Sequence, residues 1–394
     1  MILMDKNKCC GCGACAYVCP RHAIEMIQDD YGVMYASVNN ALCLNCERCQ
    51  KVCPIRQEQN KKLSLPEAYA AVCTAPLAKQ STSGGIFAIL AKHVIEDGGE
   101  VFATTMTNDL QVKVIGIHNI NDIPLLQGSK YVQSNAINSY AEIKACLDAG
   151  KKVLFAGTPC QVAAVRQVFS FEKNLYLVDI ICHGVPNAKL FSDSVADLQR
   201  HYSYKITQIC FRDARYGQRL IGSILFENGK RKKLPAYKYP YFSLFLKNSI
   251  LTSACHQCQF ASPFRYGDIT IGDYWGAHMY EKEFYISCIE RGFRKISAVL
   301  INNQKGNELF HAIQEDLLYT YTDIEKIKER NPPLYMSSKP NKDRTFCFEI
   351  YQKGGYAALK EYYFKKYRCS NIKSALYAML PNHIVDFLKK GRKF

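Results

Sequence analysis

The sequence lacks any long apolar run, and none approaches the roughly 18 residues needed to cross a bilayer. Met1 to Cys9 contain no apolar stretch of signal-peptide length, so we expect a cytoplasmic protein. Tryptophan occurs only once in 394 residues. Acidic residues are also scarce, with 35 Asp+Glu compared with 51 Lys+Arg. Cysteine, by contrast, occurs 19 times. In a reducing compartment, an odd and large number of cysteines indicates metal sites, redox chemistry or buried thiols instead of a disulfide framework.

Two common nucleotide-binding signatures are also missing. No Gly-x-Gly-x-x-Gly follows a predicted strand, and no P-loop Gly-x-x-x-x-Gly-Lys-Ser/Thr occurs. A standard dinucleotide-binding or P-loop protein is therefore not expected. No recognisable nucleic-acid motif occurs either, so the net charge of +16 does not by itself predict a nucleic-acid partner.

Most of the positive charge lies near the C-terminus. Residues 325–394 contain 16 Lys+Arg and 6 Asp+Glu, a net charge of +10, and their pattern predicts a basic helical tail. Apolar residues beside Lys and Arg are typical of a segment that makes peripheral contact with an anionic membrane, here at its inner face. The alternative is a solvated tail packed on its own domain.

Residues 1–60 hold nine of the cysteines in two similar blocks, each reading Cys-x2-Cys-x2-Cys-x3-Cys-Pro. This is the run of bacterial two-cluster ferredoxins, in which three thiolates bind one 4Fe–4S cube and the fourth binds the other. The first predicted cluster is held by Cys9, Cys12, Cys15 and Cys53. The second is held by Cys43, Cys46, Cys49 and Cys19. Zinc also binds Cys-x2-Cys, but it does not explain two full copies of the longer motif. Cys10 falls between ligands and is expected to be a small buried side chain.

The pattern changes after a polar segment, 60–66, that ends in proline and is predicted to be a linker. Strands and helices then alternate; for example, the strands Lys152–Phe155 and Leu175–Ile181 flank a helix over Pro159–Phe169 with Thr158 as N-cap. This order implies parallel strands joined by helical crossovers.

A second group of cysteines follows the predicted strands. Cys160 and Cys182 each come just after a buried strand, at the sheet edge where open α/β sheets bind ligands. Cys255 and Cys258 form a further Cys-x2-Cys pair. Spacing alone leaves three interpretations open: a third iron–sulfur cluster, a structural zinc, or unpaired buried thiols.

Three more strings are candidates for binding. Ser83-Gly84-Gly85 opens a predicted helix whose N–H groups could hold a phosphate, although a simple N-cap at Ser83 is the plainer interpretation. Ser129 and Lys130 lie in the loop Gly128–Gln133, which could face a flavin or an anionic substrate or be an ordinary turn. The only Trp, Trp275, ends a strand and could simply pack at the end of the sheet.

Taken together and in order, these strings resemble the family formed by the β-subunits of the coenzyme F420 hydrogenases and dehydrogenases. They are Ser83-Gly84-Gly85, Gly128-Ser129-Lys130-Tyr131-Val132-Gln133, Gly157-Thr158-Pro159-Cys160, Cys182-His183-Gly184-Val185-Pro186, Cys255-x2-Cys258 and Asp268-Ile269-Thr270-x-Gly272-Asp273-x-Trp275-Gly276. The resemblance covers residues 1–320.

The resemblance implies the fold class α/β (α+β overall). A small ferredoxin-like 2×[4Fe–4S] domain, 1–60, is followed by a mixed-sheet α/β flavoprotein domain and the basic tail, 325–394. The flavoprotein part divides into 66–145, a flavin-binding region, and 150–320, an α/β region with a third cluster. The resemblance also implies FAD as a cofactor. It makes Cys160, Cys182, Cys255 and Cys258 the ligands of a third [4Fe–4S] cluster, and it makes Ser83, Gly84, Gly85, Ser129, Lys130 and Thr158 candidates to line the FAD.

The expected function is that of an iron–sulfur flavoprotein oxidoreductase. A flavin takes up electrons as hydride and 4Fe–4S clusters carry them singly, so the parts form a two-electron to one-electron converter. Lys130 is the catalytic candidate, because it could stabilise negative charge on reduced flavin or bind an acidic substrate. The expected partners are ferredoxin or another redox protein, and coenzyme F420 or another small molecule. The alternatives are an electron-transfer subunit that feeds a partner enzyme, and a ferredoxin-dependent reductase in cell-surface polysaccharide metabolism.

Overall fold

A computed structural model describes residues 4–57, 65–170, 172–216 and 220–379. The helices are α1 Ala14–Tyr17, α2 Arg48–Lys51, α3 Ile86–Glu96, α4 Ile123–Leu126, α5 Ser139–Asp148, α6 Pro159–Val168, α7 Ala188–Tyr202, α8 Pro240–Leu246, α9 Ser253–His256, α10 Ala277–Tyr280, α11 Lys282–Glu290, α12 Gln304–Ile313, α13 Ile324–Arg330, α14 Arg344–Lys366 and α15 Arg368–Met379. The strands are β1 Ile24–Gln28, β2 Met34–Val38, β3 Glu67–Cys73, β4 Glu100–Met106, β5 Val112–Ile117, β6 Val153–Gly157, β7 Leu175–Ile180, β8 Ile206–Cys210, β9 Ile221–Phe226, β10 Arg231–Pro235, β11 Ile269–Asp273, β12 Ser297–Ile301 and β13 Leu317–Thr322.

The N-terminal module repeats one local structure twice. Each cysteine block ends in a single helical turn, α1 or α2, and the blocks are joined through the antiparallel hairpin β1–β2. Gly11 and Gly13 adopt left-handed backbone conformations, with φ of 69° and 80°. This freedom, which only glycine has without strain, lets the first block curl around a common centre.

The larger part of the chain is built on one eight-stranded mixed sheet in the order β13-β3-β12-β11-β7-β6-β4-β5. The four central neighbours β11, β7, β6 and β4 run parallel, and every other pair in this sheet is antiparallel. The expected mixed α/β sheet is therefore confirmed. Because β3 pairs with both β12 and β13, the regions predicted as 66–145 and 150–320 share this sheet.

A second core lies beside the sheet and is rich in aromatic side chains. The antiparallel strands β10-β9-β8 pack with α7 and α8 around Phe211, Tyr239, Tyr241 and Phe242, which are almost fully buried. Helix α14 joins the same core through five buried side chains: Cys347, Tyr351, Tyr356, Leu359 and Tyr363.

This packing changes the picture of the C-terminal tail. Within 325–394, α14 is an integral part of a core, and the segment before it lies against the cavity described below. The predicted tail is helical over α15, whereas residues 380–394, on which much of the membrane-contact expectation rests, lie outside the described residues. The linker residues 60–64 also lie outside them. In the described part of the chain, no helix combines the length and apolar character needed to cross a membrane.

The ferredoxin-like module docks directly on the sheet domain. The rings of Tyr17 and Tyr140 stack with centroids 5.3 Å apart, and the Tyr140 hydroxyl donates to the Cys12 carbonyl at 3.1 Å. Gln133 donates to the Cys10 carbonyl at 3.2 Å, and Gln259 donates to the carbonyl of Pro54 at 2.8 Å. The two cysteine blocks are therefore both anchored to the body of the protein.

The packing of α14 predicts contrasting effects for two adjacent residues. Tyr363 is fully buried, whereas Phe364 is 43% exposed. Tyr363→Ala should lower the free energy of unfolding by about 3–5 kcal/mol, since it leaves a cavity in the aromatic core. Phe364→Ala should change it by about 0.5 kcal/mol, as expected for a surface site. Urea unfolding of the full chain followed by circular dichroism measures both; equally small losses would mean that α14 is not part of the core.

Candidate functional site

A cavity of about 720 Å³ opens at the carboxyl ends of β6, β7 and β11. Its floor is formed by residues that end these strands, including Gly157, Ile180 and Asp273. This is the position at which open α/β sheets bind ligands, because the chain diverges there and leaves a crevice. The volume lies within the range of small-molecule sites.

The predicted flavin-binding residues lie around this cavity, with one exception. Ser83, Gly85, Ser129, Lys130 and Thr158 all line it. Two loops meet at its wall, where the hydroxyls of Thr82 and Ser129 are 3.2 Å apart. Thr158 caps α6 through a capping box with Gln161.

Gly84 lies behind the wall, and its backbone N–H donates to Ser297 Oγ at 2.9 Å. A Cβ at Gly84 would come within 2.5 Å of the Ala71 carbonyl oxygen, so glycine is needed for close packing against β3. The expected N-cap at Ser83 is wrong: α3 begins at Ile86, and the Ser83 and Ser297 hydroxyls pair at 2.9 Å.

Lys130 has a defined position on the cavity wall. Its Nζ donates to the carbonyls of Leu126 and Gln127, both at 2.8 Å, at the end of α4. Burial lowers the pKa of Lys130 to about 7. The side chain therefore changes charge near neutral pH, and its ammonium is held at the wall by backbone dipoles.

The four cysteines of the predicted third cluster lie together at one side of the cavity. Cys160 and Cys182 line it. Burial raises the pKa of the Cys182 thiol, and the nearby Cys255, Cys160 and Cys258 raise it further. Three separate chain segments thus bring four thiols into one neighbourhood.

Donors already surround several of these sulfurs. The N–H of Val185 donates to Cys255 Sγ at 3.4 Å, and the Thr252 and Thr158 hydroxyls lie 3.2 and 3.3 Å from Cys255 Sγ and Cys160 Sγ. Hydrogen bonds to sulfur raise the reduction potential of an iron–sulfur cluster by stabilising its more negative form. Donors of this kind would tune the potential of a cluster bound by these sulfurs.

A segment just before α14 ties the two cysteine loops together. Ser338 Oγ donates to the His183 carbonyl at 2.6 Å, and Ser337 Oγ donates to the His256 carbonyl at 3.0 Å. His256 Nδ1 lies 2.6 Å from the Ser338 carbonyl, which fixes Nδ1–H as the donor. His256 Nε2 is buried with no hydrogen-bond partner among the described residues. A buried orphan of this kind, beside Cys255, fits a site built to surround a further polar group.

The first N-terminal ligand set is gathered around a second, small cavity. Cys9, Cys12, Cys15 and Cys53 all line it, although Cys53 comes from the other block. Burial raises the pKa of the Cys15 thiol, and Cys12, Cys9 and Cys53 raise it further. Burial raises the pKa of the Cys9 thiol, and a hydrogen bond from the Gly11 backbone N–H opposes this rise.

The second ligand set is more open to solvent. Burial raises the pKa of Cys49, and the neighbouring Cys19 and Cys46 raise it further, so Cys19 lies with the second block. Cys46 is exposed, and Cys43 Sγ accepts the Asn45 N–H at 3.4 Å. The exchange of the fourth cysteine between blocks, expected from the motif, is therefore compatible with the positions of Cys19 and Cys53.

No group of three or more His, Cys, Asp or Glu side chains in the described ranges is arranged to hold a single metal ion. A 4Fe–4S cube presents a different iron to each thiolate, so its ligands need not converge on one point.

Cys10 connects two of the sites and is more than the small buried side chain that was expected. It lines both the large cavity and the small one. Hydrogen bonds to Cys12 and Cys160 raise the pKa of the Cys10 thiol, while the contact with Cys10 lowers the pKa of Cys160 to about 7. Only the fold reveals this role, because nothing in the sequence places Cys10 near Cys160.

Arg212 is a cavity residue that sequence reasoning missed. Its guanidinium pairs with Asp273 and lies 5.4 Å from the centre of the Trp275 ring, which is 43% exposed. Although burial opposes its charge, Asp273 holds the pKa of Arg212 above its usual value. Arg212 Nε is buried without a hydrogen-bond partner in the described chain. A buried cation beside an aromatic face suits a planar, negatively charged ligand.

Known proteins share both parts of this arrangement. The family model for the 4Fe-4S dicluster domain matches residues 8–56, and the model for the C-terminal part of the coenzyme F420 hydrogenase/dehydrogenase beta subunit matches residues 150–327. In Methanosarcina mazei, the F subunit of the F(420)H(2) dehydrogenase is 22% identical over 193 residues, which are 46% of this chain and 54% of that protein.

The coenzyme F420-dependent sulfite reductase of Methanocaldococcus jannaschii is 20% identical over 355 residues, which are 83% of this chain and 49% of that protein. The chain spans about half the length of these two curated relatives. A chain in the solved F420-reducing [NiFe] hydrogenase complex of Methanosarcina barkeri aligns with a TM-score of 0.48 and 18% identity, over 76% of this chain and 97% of that one.

The two family matches fall on the two structural parts described above, the repeated cysteine module and the sheet that carries the four-cysteine site. Residues 150–327 therefore match the C-terminal region of the coenzyme F420 hydrogenase/dehydrogenase beta subunits, and residues 8–56 match a 4Fe-4S dicluster domain.

Proposed function

We propose that this chain is an iron–sulfur flavoprotein oxidoreductase that links a small-molecule hydride donor or acceptor to one-electron carriers. One observation carries the proposal: the cavity wall that contains the predicted FAD contacts also contains Cys160 and Cys182. A ligand in this cavity would therefore lie next to the predicted third cluster. The small cavity of the first N-terminal cluster is separated from it by Cys10.

The residues of the large cavity fit a flavin. Its lining is largely apolar, with Val132, Ile181 and Phe245 among its walls, and polar groups are confined to a few loops. This mixture is typical of sites for flat, largely apolar cofactors with a polar chain. When bound, FAD would supply hydride chemistry together with single-electron exchange.

The polar residues of the cavity have distinct proposed roles. Ser83, Gly85, Ser129 and Thr158 contact the cofactor, whereas Gly84 allows the wall to pack closely. Lys130 is proposed to place a positive charge beside a negatively charged group of the cofactor or substrate. Arg212, oriented by Asp273, offers a second cation beside Trp275.

The cysteines would bind three [4Fe–4S] clusters, each of which passes one electron at a time. Cys160, Cys182, Cys255 and Cys258 hold the one nearest the cavity. The relatives' names include coenzyme F420 as the redox coenzyme, and we propose the same coenzyme as the hydride partner of this chain.

Substitution of a third-cluster ligand tests the proposal. The anaerobically purified chain should contain about one FAD and about 12 irons, as three 4Fe–4S cubes require. Cys182→Ser should lose about four irons and retain FAD, since only one ligand set is broken. Reduced F420 should bleach the flavin in both proteins, but it should reduce the N-terminal clusters at least about tenfold more slowly in the variant. Iron and flavin assays and EPR spectroscopy provide the measurements.

Cys288→Ser is the matched control, because Cys288 is fully buried but lies in another core. This variant should retain all of its iron and should reduce the N-terminal clusters at the wild-type rate. A wild-type chain without flavin would reject the proposed function, and zinc in place of the four irons would favour a structural zinc site.

The low pKa of Lys130 predicts a pH-dependent role. With a pKa of about 7, Lys130 is mostly charged at pH 6 and mostly neutral at pH 8. Lys130→Met should therefore weaken FAD binding by about tenfold at pH 6, equivalent to about 1.4 kcal/mol, and by much less at pH 8. Lys130→Arg should retain binding at both pH values. Flavin fluorescence quenching measures the affinity, and an equal loss at both pH values would indicate a purely structural role.

The hydrogen bond from Ser338 predicts a protective effect. Ser338→Ala removes the donor to the His183 carbonyl and loosens the segment over the third ligand set. The third cluster should then release iron in air about threefold to tenfold faster, because water and oxygen reach it more readily. The N-terminal clusters, followed in the Cys182→Ser background, should decay at an unchanged rate. Ser374→Ala, at an exposed position of α15, is the control; equal decay in both serine variants would contradict the role of Ser338.

A further inference from the structure

The two cysteine blocks have the same backbone but different surroundings. We propose that Leu42, Leu44, Arg48 and Lys51 form a docking surface, here called the second-block face, for an acidic one-electron carrier protein. The proposal rests on the proposed function, because it identifies where electrons enter or leave the chain.

The equivalence of the blocks extends beyond the cysteines. A shift of 34 residues carries α1, Ala14–Tyr17, onto α2, Arg48–Lys51. It also carries Gly11 and Gly13 onto Asn45 and Glu47, which adopt the same left-handed conformation with φ of 51° and 58°. Left-handed backbone is unfavourable for Glu, so its presence shows how strongly the second block retains the local geometry of the first.

The face of the first block is covered by the rest of the protein. Ala14 is completely buried and Cys12 is 8% exposed. Tyr17 stacks on Tyr140, and Cys10 lines the cavity that also contains Cys160. In this block, the face therefore docks one redox site against another within the same chain.

The equivalent face of the second block is open. Leu44 occupies the position equivalent to Cys10 and is 63% exposed, and the nearby Leu42 is 42% exposed. Cys46, equivalent to Cys12, is exposed, as are Arg48 and Lys51. These apolar side chains lie in solvent beside a predicted cluster ligand. Their burial by a transient partner would stabilise the complex.

The loop that presents Leu44 is ordered by its own hydrogen bonds. Ala41 N–H donates to Asn39 Oδ1 at 3.1 Å, and Asn45 N–H donates to Cys43 Sγ at 3.4 Å. The surface is thus preformed, so little conformational entropy opposes binding.

The charges around the face select the partner. Arg48 and Lys51 lie on α2, and Arg21 follows Cys19, the ligand that comes from the other block; Glu47 is the acidic residue between them. The resulting positive surface favours a partner with acidic groups around its redox centre. Such complexes are small and short-lived, and opposite charges accelerate their formation in a salt-dependent way.

The test compares a protein electron donor with a small one. The anaerobic full chain, loaded with its clusters and FAD, is mixed in a stopped-flow instrument with a reduced acidic two-cluster ferredoxin or with reduced methyl viologen. Leu44→Asp should lower the second-order rate constant with ferredoxin about tenfold and leave the viologen rate within about twofold. Binding of oxidised ferredoxin, measured by calorimetry, should weaken by a similar factor.

Leu376→Asp is the matched control, because Leu376 is also 63% exposed but lies on α15; it should leave both rates unchanged. The double variant Arg48→Glu/Lys51→Glu should lower the rate constant of the reaction with ferredoxin at low salt. In this variant, the rate constant should no longer decline when salt is added.

Other outcomes overturn the docking surface. An unchanged ferredoxin rate in Leu44→Asp would exclude it, and so would equal slowing with viologen, because Leu44 would then act on the second cluster and not on docking. A wild-type dimer that Leu44→Asp converts to a monomer would assign the face to a second copy of the chain. Failure of the proposed function is distinguishable, since viologen-reduced clusters would then leave the flavin of the wild-type chain oxidised.

Discussion

The contact between the first cysteine block and the end of β6 is the constraint on which the rest of the structure depends. Cys10 touches Cys12 on one side and Cys160 on the other, so this contact joins the first cysteine set of the module directly to the cysteines beside the large cavity. Tyr140 and Gln133 fix this contact by bonding the carbonyls of Cys12 and Cys10. A small rotation of the module would break the contact between Cys10 and Cys160 and separate the two cysteine sets.

The segment before α14 has a comparable importance on the opposite side of the cavity. Ser337 and Ser338 bond the backbone beside His256 and His183, and Arg344 at the start of α14 donates to the Leu251 carbonyl and to Ser253 Oγ. These contacts lie beyond residue 327, where the family match ends. The C-terminal helices therefore complete the site physically, although their charge makes them look like an appendage in the sequence.

Features that depend on local sequence could be predicted well. The cysteine spacing, the N-cap at Thr158 and the buried strands around it all follow from neighbouring residues, and the structure has a helix over Pro159–Val168 and a strand over Leu175–Ile180. Features that depend on contacts between distant segments could not be predicted. The pairing of Gly84 with Ser297, the position of Arg212 against Asp273 and the contact of Cys10 with Cys160 each join segments with no shared motif. For the same reason, the sequence suggested which cysteines form the third set but not which segment encloses them.

The position of β3 has a consequence for how the protein is made. This strand, Glu67–Cys73, lies between β12 and β13, so its two neighbours in the sheet are translated only near residues 297–301 and 317–322. On the ribosome, β3 must wait with both edges unpaired until most of the chain has emerged, which is the slow, non-local kind of assembly that exposes edges to misassociation. The cysteine module at the N-terminus has no such delay. The cysteine sets are thus completed at different times: the two N-terminal sets are complete early in synthesis, and the four cysteines beside the cavity come together only after the sheet has closed.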